Sequence, residues 1–216
     1  MPVTKKIISY LFSMAGKTKI MLSAQELQVV NDTAWILTKQ GVIQKVNQLF
    51  NDQVPVINSF FSLLPLEKND PLLCVNPKIA KGENYKGLPY VMLDYPSLFD
   101  KENIFALRTL FWWGNHFSVT LHLSGLYKEK YTTSNFVKSL QADDDLYICI
   151  NENQWQHDFE STNYSLVKSF SHETINNIIG NKGFLKLAVK YDLQQWESIE
   201  DLLKAAYQKI LFLLWN

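Results

Sequence analysis

Ile104-Phe-Ala-Leu-Arg-Thr-Leu-Phe-Trp-Trp113-Gly-Asn-His116-Phe-Ser-Val-Thr-Leu-His-Leu123 is the stretch that decides how this chain folds. In its second half Phe117, Val119, Leu121 and Leu123 alternate with Ser118, Thr120 and His122, the period of two that sends neighbours to opposite faces of a sheet. The first half is rich in residues that suit a pleated surface. Gly114-Asn115 between them fits a two-residue hairpin turn with glycine first. That turn pairs Trp113 with His116, Trp112 with Phe117, Leu110 with Val119 and Arg108 with Leu121. The same first half also admits a helix from Lys101 to Trp113, capped by Asp100 and stopped at Gly114, because short apolar runs fit either period.

In the hairpin register Arg108, the only arginine, stands on an otherwise apolar face. A guanidinium keeps its charge when buried, so it needs a carboxylate, carbonyls or a bound anion. Asp94, in the apolar stretch 88–95 that precedes the hairpin, is the nearest internal candidate. The residues before that stretch, 66–87, read as a loop-rich bridge punctuated by Pro71, Pro77, Gly82 and Gly87. They bring Lys78, Lys81, Tyr85 and Lys86 next to the central strand, where ammonium groups and glycine N–H groups suit an anion. The rings of Tyr90, Tyr95, Phe111, Trp112, Trp113, Phe117 and Trp155 build core or line a pocket.

The rest of the chain is read outward from this centre. Ser23 and Glu26 have capping-box spacing, opening a helix over 24–39 that Gly41 ends. A second helix covers 42–50, and Pro55 opens a third that runs to Leu64. Strands follow at 88–95, in the hairpin and at 146–150, with a short helix or lid at 135–140. A helix from Ser171 stops at Gly180, and a last strand covers 184–191. Ser198 caps the closing helix, whose end, Ile210-Leu-Phe-Leu-Leu-Trp215, is apolar all round. Such an end is packed into its own domain or covered by a second subunit.

Consecutive strands without helical crossovers imply an antiparallel sheet. The expected fold is α+β: one domain with a mainly antiparallel sheet of four or five strands and terminal helices largely on one face. Within it, 1–22 is a peripheral segment, 23–64 is helical, 66–87 is the bridge, 88–191 the sheet region and 197–215 the closing helix.

Composition narrows the function classes. The 216 residues balance 21 basic against 21 acidic side chains, so no strong positive field marks a general nucleic-acid binder. Cys74 and Cys149 match no metal or redox spacing; a reduced, buried Cys149 is the default, and a lone disulfide belongs only to an oxidising compartment. His116 and His122 lie six residues apart, roughly 20 Å on a regular strand, too far to share a metal ion. No nucleophile elbow, zinc helix or phosphate loop occurs, and no metal or cofactor is expected. Lys5-Lys6 ahead of a short apolar stretch has the order of a leader peptide, but polar residues interrupt it, and no run is long enough to span a membrane. The protein reads as cytoplasmic, without a membrane partner.

The functional expectation is a non-catalytic binding or accessory protein with a sheet-floored pocket for a small acidic ligand, drawn from Arg108, Lys78, Lys81, Tyr85, Lys86, Asp94, Trp112, Trp113, His116 and His122. Two other classes stay open. One is a small enzyme whose base is His122 or His116, oriented by Asp94. The other is a homodimeric scaffold using 210–215.

Overall fold

A computed structural model of the chain describes residues 20–140 and 143–215. The leader-like order at residues 5–15 and most of the peripheral segment 1–22 therefore lie outside the described residues. The chain divides into two compact units, Met1–Val42 and Ile43–Asn216.

In the first unit, Ser23 and Glu26 form the capping box that their spacing implies and start α1 (Ala24–Asn31). The helix over 24–39 is interrupted at Asp32. Its carboxylate accepts the Trp35 N–H at 2.9 Å and opens α2 (Thr33–Phe61). Gly41 does not stop this helix, and no separate helix begins at Pro55, which lies inside α2. No neighbouring atom lies within 4 Å of where a Gly41 Cβ would stand, so nothing there forces the chain to turn.

The second unit is an α+β fold on one antiparallel sheet of seven strands, not four or five, ordered β1-β2-β3-β4-β7-β5-β6. The strands are β1 (Lys78–Tyr85), β2 (Leu88–Phe99), β3 (Ile104–Trp112), β4 (His116–Ser124), β5 (Tyr147–Cys149), β6 (Tyr164–Leu166) and β7 (Phe184–Asp192). Two strands were hidden for different reasons. β1 is an edge strand with no buried residue, so it lacks apolar alternation and resembles a loop. It turns into β2 at Lys86-Gly87, both with positive φ, of the kind that closes a two-residue hairpin. β6 has only three residues.

The central hairpin forms, and 104–112 is strand rather than helix, but the register differs by one. Trp112 pairs with His116, Leu110 with Ser118 and Arg108 with Thr120. The connection takes three residues, because the Trp113 N–H donates to Pro89 O at 3.1 Å and that of Asn115 to Trp112 O at 3.1 Å. Gly114 supplies the left-handed φ of 67° in between. A slip of one residue exchanges the two faces of a strand. His116, Ser118, Thr120 and His122 therefore share the face of Arg108, and Phe117, Val119, Leu121 and Leu123 share that of Phe105 and Leu107.

The second of these faces is the core. Leu107, Phe117, Leu121 and Leu187 are fully buried, and the helices supply Phe50, Ile57, Leu203 and Ile210. Each such side chain contributes roughly 1.5–3 kcal/mol. Phe61 of α2 reaches Phe105 at 6.2 Å between ring centroids. Tyr127 and Tyr131 of α3 (Gly125–Tyr131) reach the same ring at 5.6 and 6.0 Å. The residues 135–140 lie in α4 (Ser134–Leu140), and α5 (His172–Asn181) buries Ile175 and Ile179. The closing helix α6 (Ile199–Phe212) hydrogen-bonds to the sheet through Tyr207 and Thr109 at 2.8 Å. Ser198 makes no capping bond. The cap is Asp192, which accepts the Gln194 N–H at 2.8 Å and starts a 3-10 turn ahead of α6. Ile210, Leu211, Leu213 and Leu214 pack inward, leaving Phe212 and Trp215 exposed.

The other face is polar and lies beneath residues 151–163, an irregular strap between β5 and β6. Asn163 fastens one end of it from within, its Nδ2 donating to Asp158 O at 2.5 Å. Lys182 holds the other, donating to Ile150 O and Asn151 O at 3.0 and 2.8 Å.

Candidate functional site on the polar face

Arg108 has its companion. Nε donates to Asp94 Oδ1 at 2.6 Å and Nη2 to Asp94 Oδ2 at 2.8 Å, the bidentate geometry that a guanidinium favours. Cross-strand pairing of Arg108 with Asp94 sets this up; Asp94 is buried and Arg108 nearly so. The third nitrogen, Nη1, lies 3.0 Å from His157 Nε2. A guanidinium only donates, so Nε2 accepts and the neutral ring carries its proton on Nδ1.

His157 comes from the strap, as do most of the partners around it. His122 Nε2 donates to Gln154 Oε1 at 2.9 Å. Tyr85, at the end of β1, accepts the N–H groups of His157 and Asp158 at 2.7 and 3.2 Å and donates to Asp158 Oδ2 at 3.0 Å. Lys86 closes the edge with Asp158 at 3.1 Å and Glu160 at 2.7 Å.

The residue with the least provision is Lys186 of β7. It is 1% exposed, stands opposite His122 across the strand pair, and donates to the Gln156 carbonyl at 2.5 Å. The Tyr164 ring lies 5.4 Å from its Nζ. No carboxylate of the described residues is within ion-pair distance of it. Burial pulls its ammonium down to about 8. The same cause, with cationic neighbours added, acts on all three imidazoles. His116 is pulled down to about 4 by burial and Lys190, and His122 to about 3 by burial and Lys186. His157 falls well below its ordinary value through burial, Lys186 and Arg108. All three rings are neutral at pH 7. Asp158 is different: burial raises it, but the hydrogen bonds from Lys86 and Tyr85 outweigh that and leave it lowered.

Of the ten residues singled out from sequence, Arg108, Asp94, Tyr85, Trp112, His116 and His122 come together on this face. Tyr85 and Trp112 meet edge to face at 5.0 Å, and Trp112 meets His116 at 5.5 Å. The lysines do not converge. Lys86 is spent on the strap, and Lys78 stands on the exposed edge strand. Lys81 lines a separate open groove of about 470 Å³ with Asn47, Asn51 and Pro77. Trp113 meets Phe111, which in turn meets Trp196, so the aromatic residues divide between the two faces instead of forming one cluster. Asp94 is occupied by Arg108 and orients neither His116 nor His122. No three ligand-type side chains among the described residues gather into a metal site. Cys74 and Cys149 are both free; Cys149 is buried, and burial raises its thiol.

Sequence reasoning left Lys186, Gln154 and Asp158 out of the site. The alternation Leu185, Leu187, Val189 does put Lys186 on the opposite phase. Only the long-range pairing of β7 with β4 brings it beside His122.

Between strap and sheet lies a cavity of about 100 Å³, lined by Tyr85, Tyr90, Met92, Leu110, Trp155 and His157. The indole N–H of Trp112 and the His116 Nε2 are buried on the same face without a hydrogen-bond partner. Comparison with protein-family models, curated proteins and solved structures finds no match for this chain. No helix of the described residues is long and apolar enough to cross a membrane.

Proposed function

We propose that the protein is a non-catalytic binding or accessory protein that takes a small acidic molecule on the polar face, under the strap. The observation that carries this reading is Lys186: a buried ammonium with one backbone carbonyl and a tyrosine ring for company. An uncompensated buried charge costs several kcal/mol, and an entering carboxylate or phosphate removes that cost. Arg108 is already neutralised by Asp94 and serves as part of the rigid floor. His116 Nε2 and the Trp112 N–H offer further polar contacts. Trp155, half exposed at the cavity, supplies apolar cover.

A thermal-shift screen against small carboxylates and phosphates tests the reading. A true ligand at about a hundredfold over its Kd adds about 2.7 kcal/mol of stability. Lys186→Met, checked for folding by circular dichroism, loses the shift. If no acid moves the melting temperature, or if the shift survives in Lys186→Met, the acidic-ligand reading is abandoned.

A second reading rests on Phe212 and Trp215, exposed with ring centroids 5.1 Å apart, Phe212 also lining a groove of about 560 Å³. A homodimer through this end of α6 would cover them. Light scattering at working concentration decides it, and a monomer removes it.

A further inference from the structure

The polar face makes no use of Lys78 and Lys81. They belong to β1, which has a neighbouring strand on one side only among the described residues. A strand at the rim of a sheet leaves one row of N–H and C=O groups unpaired. On β1 this row is short. Pro77 has no N–H to give at one end, and the pairing with β2 becomes irregular between Gly82 and Tyr85 at the other. Beside the row runs the open groove of about 470 Å³, with Ile79 and Lys81 of β1 on one wall and Asn47 and Asn51 of α2 on the other. The two asparagines are four residues apart and share one helix face. Strand edge, groove and helix together make the seat in which an extended peptide adds to a sheet.

Charge selects the peptide. Lys78 and Lys81 are both exposed, and no carboxylate of the described residues forms an ion pair with either. Asp94, opposite Lys78, is held by Arg108, and the one acidic residue of β1, Glu83, falls within its irregular part. Alternation along the regular part sends Lys78 and Lys81 to opposite faces of the strand, so they do not close on one small anion. A chain lying alongside meets both. We propose that β1 takes an extended acidic peptide segment of a partner protein as a further strand along 78–81. Its acidic side chains stand three residues apart, opposite Lys78 and Lys81, and an apolar one lies by Ile79 in the groove. A second copy of the chain fits less well. It brings its own Lys78 and Lys81 to the same edge, where like charges across a strand pair are destabilising. The proposal stands apart from the acidic-ligand reading, whose cavity shares no lining residue with this groove.

The test is fluorescence anisotropy of the full chain with labelled octapeptides of valine and threonine that carry two glutamates three positions apart, or two lysines at the same places. At about 0.05 M salt the glutamate peptide should bind at least about tenfold tighter, and the difference should shrink at about 0.5 M. Lys78→Glu/Lys81→Glu, with an unchanged unfolding midpoint, should reverse the preference. An added strand pairs through alternate backbone N–H groups, so N-methylation of one alternate set in the glutamate peptide should abolish binding, and of the other should spare it. Lys186→Met should leave these results as they are, which separates this surface from the polar face. Equal binding of the two peptides, no binding of either, the same response to both methylated sets, or a glutamate preference that survives the charge reversal overturns the proposal. So does protection of the 78–81 amides from hydrogen exchange that grows with protein concentration alone, because the edge then takes a second copy.

Discussion

The two faces of the sheet solve the same problem in opposite ways. Strand β4 is buried at all nine positions, yet its side chains alternate between leucine, valine and phenylalanine under helices and histidine, serine and threonine under the strap. On the helix side burial is itself the stabilising term, and polar contacts such as those of Thr109 with Tyr207 and Tyr95 with Asn58 are self-contained. On the strap side burial is a cost, offset by an ion pair, by hydrogen bonds and by rings that give up their protons. The helix side therefore tolerates no loss of volume. The strap side tolerates no loss of a partner.

The largest expected effect comes from the helix side. Phe117→Ala should lose about 3–5 kcal/mol in urea unfolding, from transfer and cavity terms together. A loss well below that would mean that the core is looser than its burial implies. Next comes the ion pair. Asp94→Asn should cost about 2–3 kcal/mol, somewhat under a fully buried pair because Arg108 keeps a little solvent access. The double variant Asp94→Leu/Arg108→Met should recover much of this, since apolar replacement of both partners removes the stranded charge. If the double variant is no better than the single, the pair is a net stabiliser and the contrast between the faces weakens.

Acid should act on the strap side alone. The folded-state values of His116 and His122 lie below the ordinary 6.5, so the unfolded chain binds more protons. Stability is then complete above about 6.5 and falls as pH drops towards about 4 and about 3. The loss should grow by up to about 1.4 kcal/mol per pH unit for each ring below 6.5, followed by urea midpoints across the range. His122→Phe should flatten the profile, and an unaltered profile would remove the histidines from the account. Lys186 acts in the same sense in a more alkaline window. Its lowered value makes stability rise as pH climbs from about 8 to about 10.5. The smallest effect is Tyr207→Phe, about 1 kcal/mol for one neutral hydrogen bond, read from the same unfolding curves.

Much of this contrast is legible before any coordinates. Period-two alternation locates β4 and β7, the capping box starts α1, and a lone arginine among apolar residues announces that it needs Asp94 or an equivalent. The register of the hairpin is not legible to the last residue, because Trp113 suits a strand as well as a turn and its N–H is claimed by Pro89, far off in sequence. That one residue decides whether the histidines face the arginine. β1 escapes notice for a related reason: an edge strand of lysine, glycine and asparagine has the composition of a loop. The strap has no periodic signal at all, so the partners it brings to Arg108 and Lys186 are invisible without the fold.

The sheet also ends unattractively on both sides. One rim, β1, carries Lys78 and Lys81 and an irregularity between Gly82 and Tyr85; the other, β6, is three residues long. Neither rim offers another chain a long, flat, uncharged row of free amide and carbonyl groups, so strand-by-strand growth into fibres finds no template here.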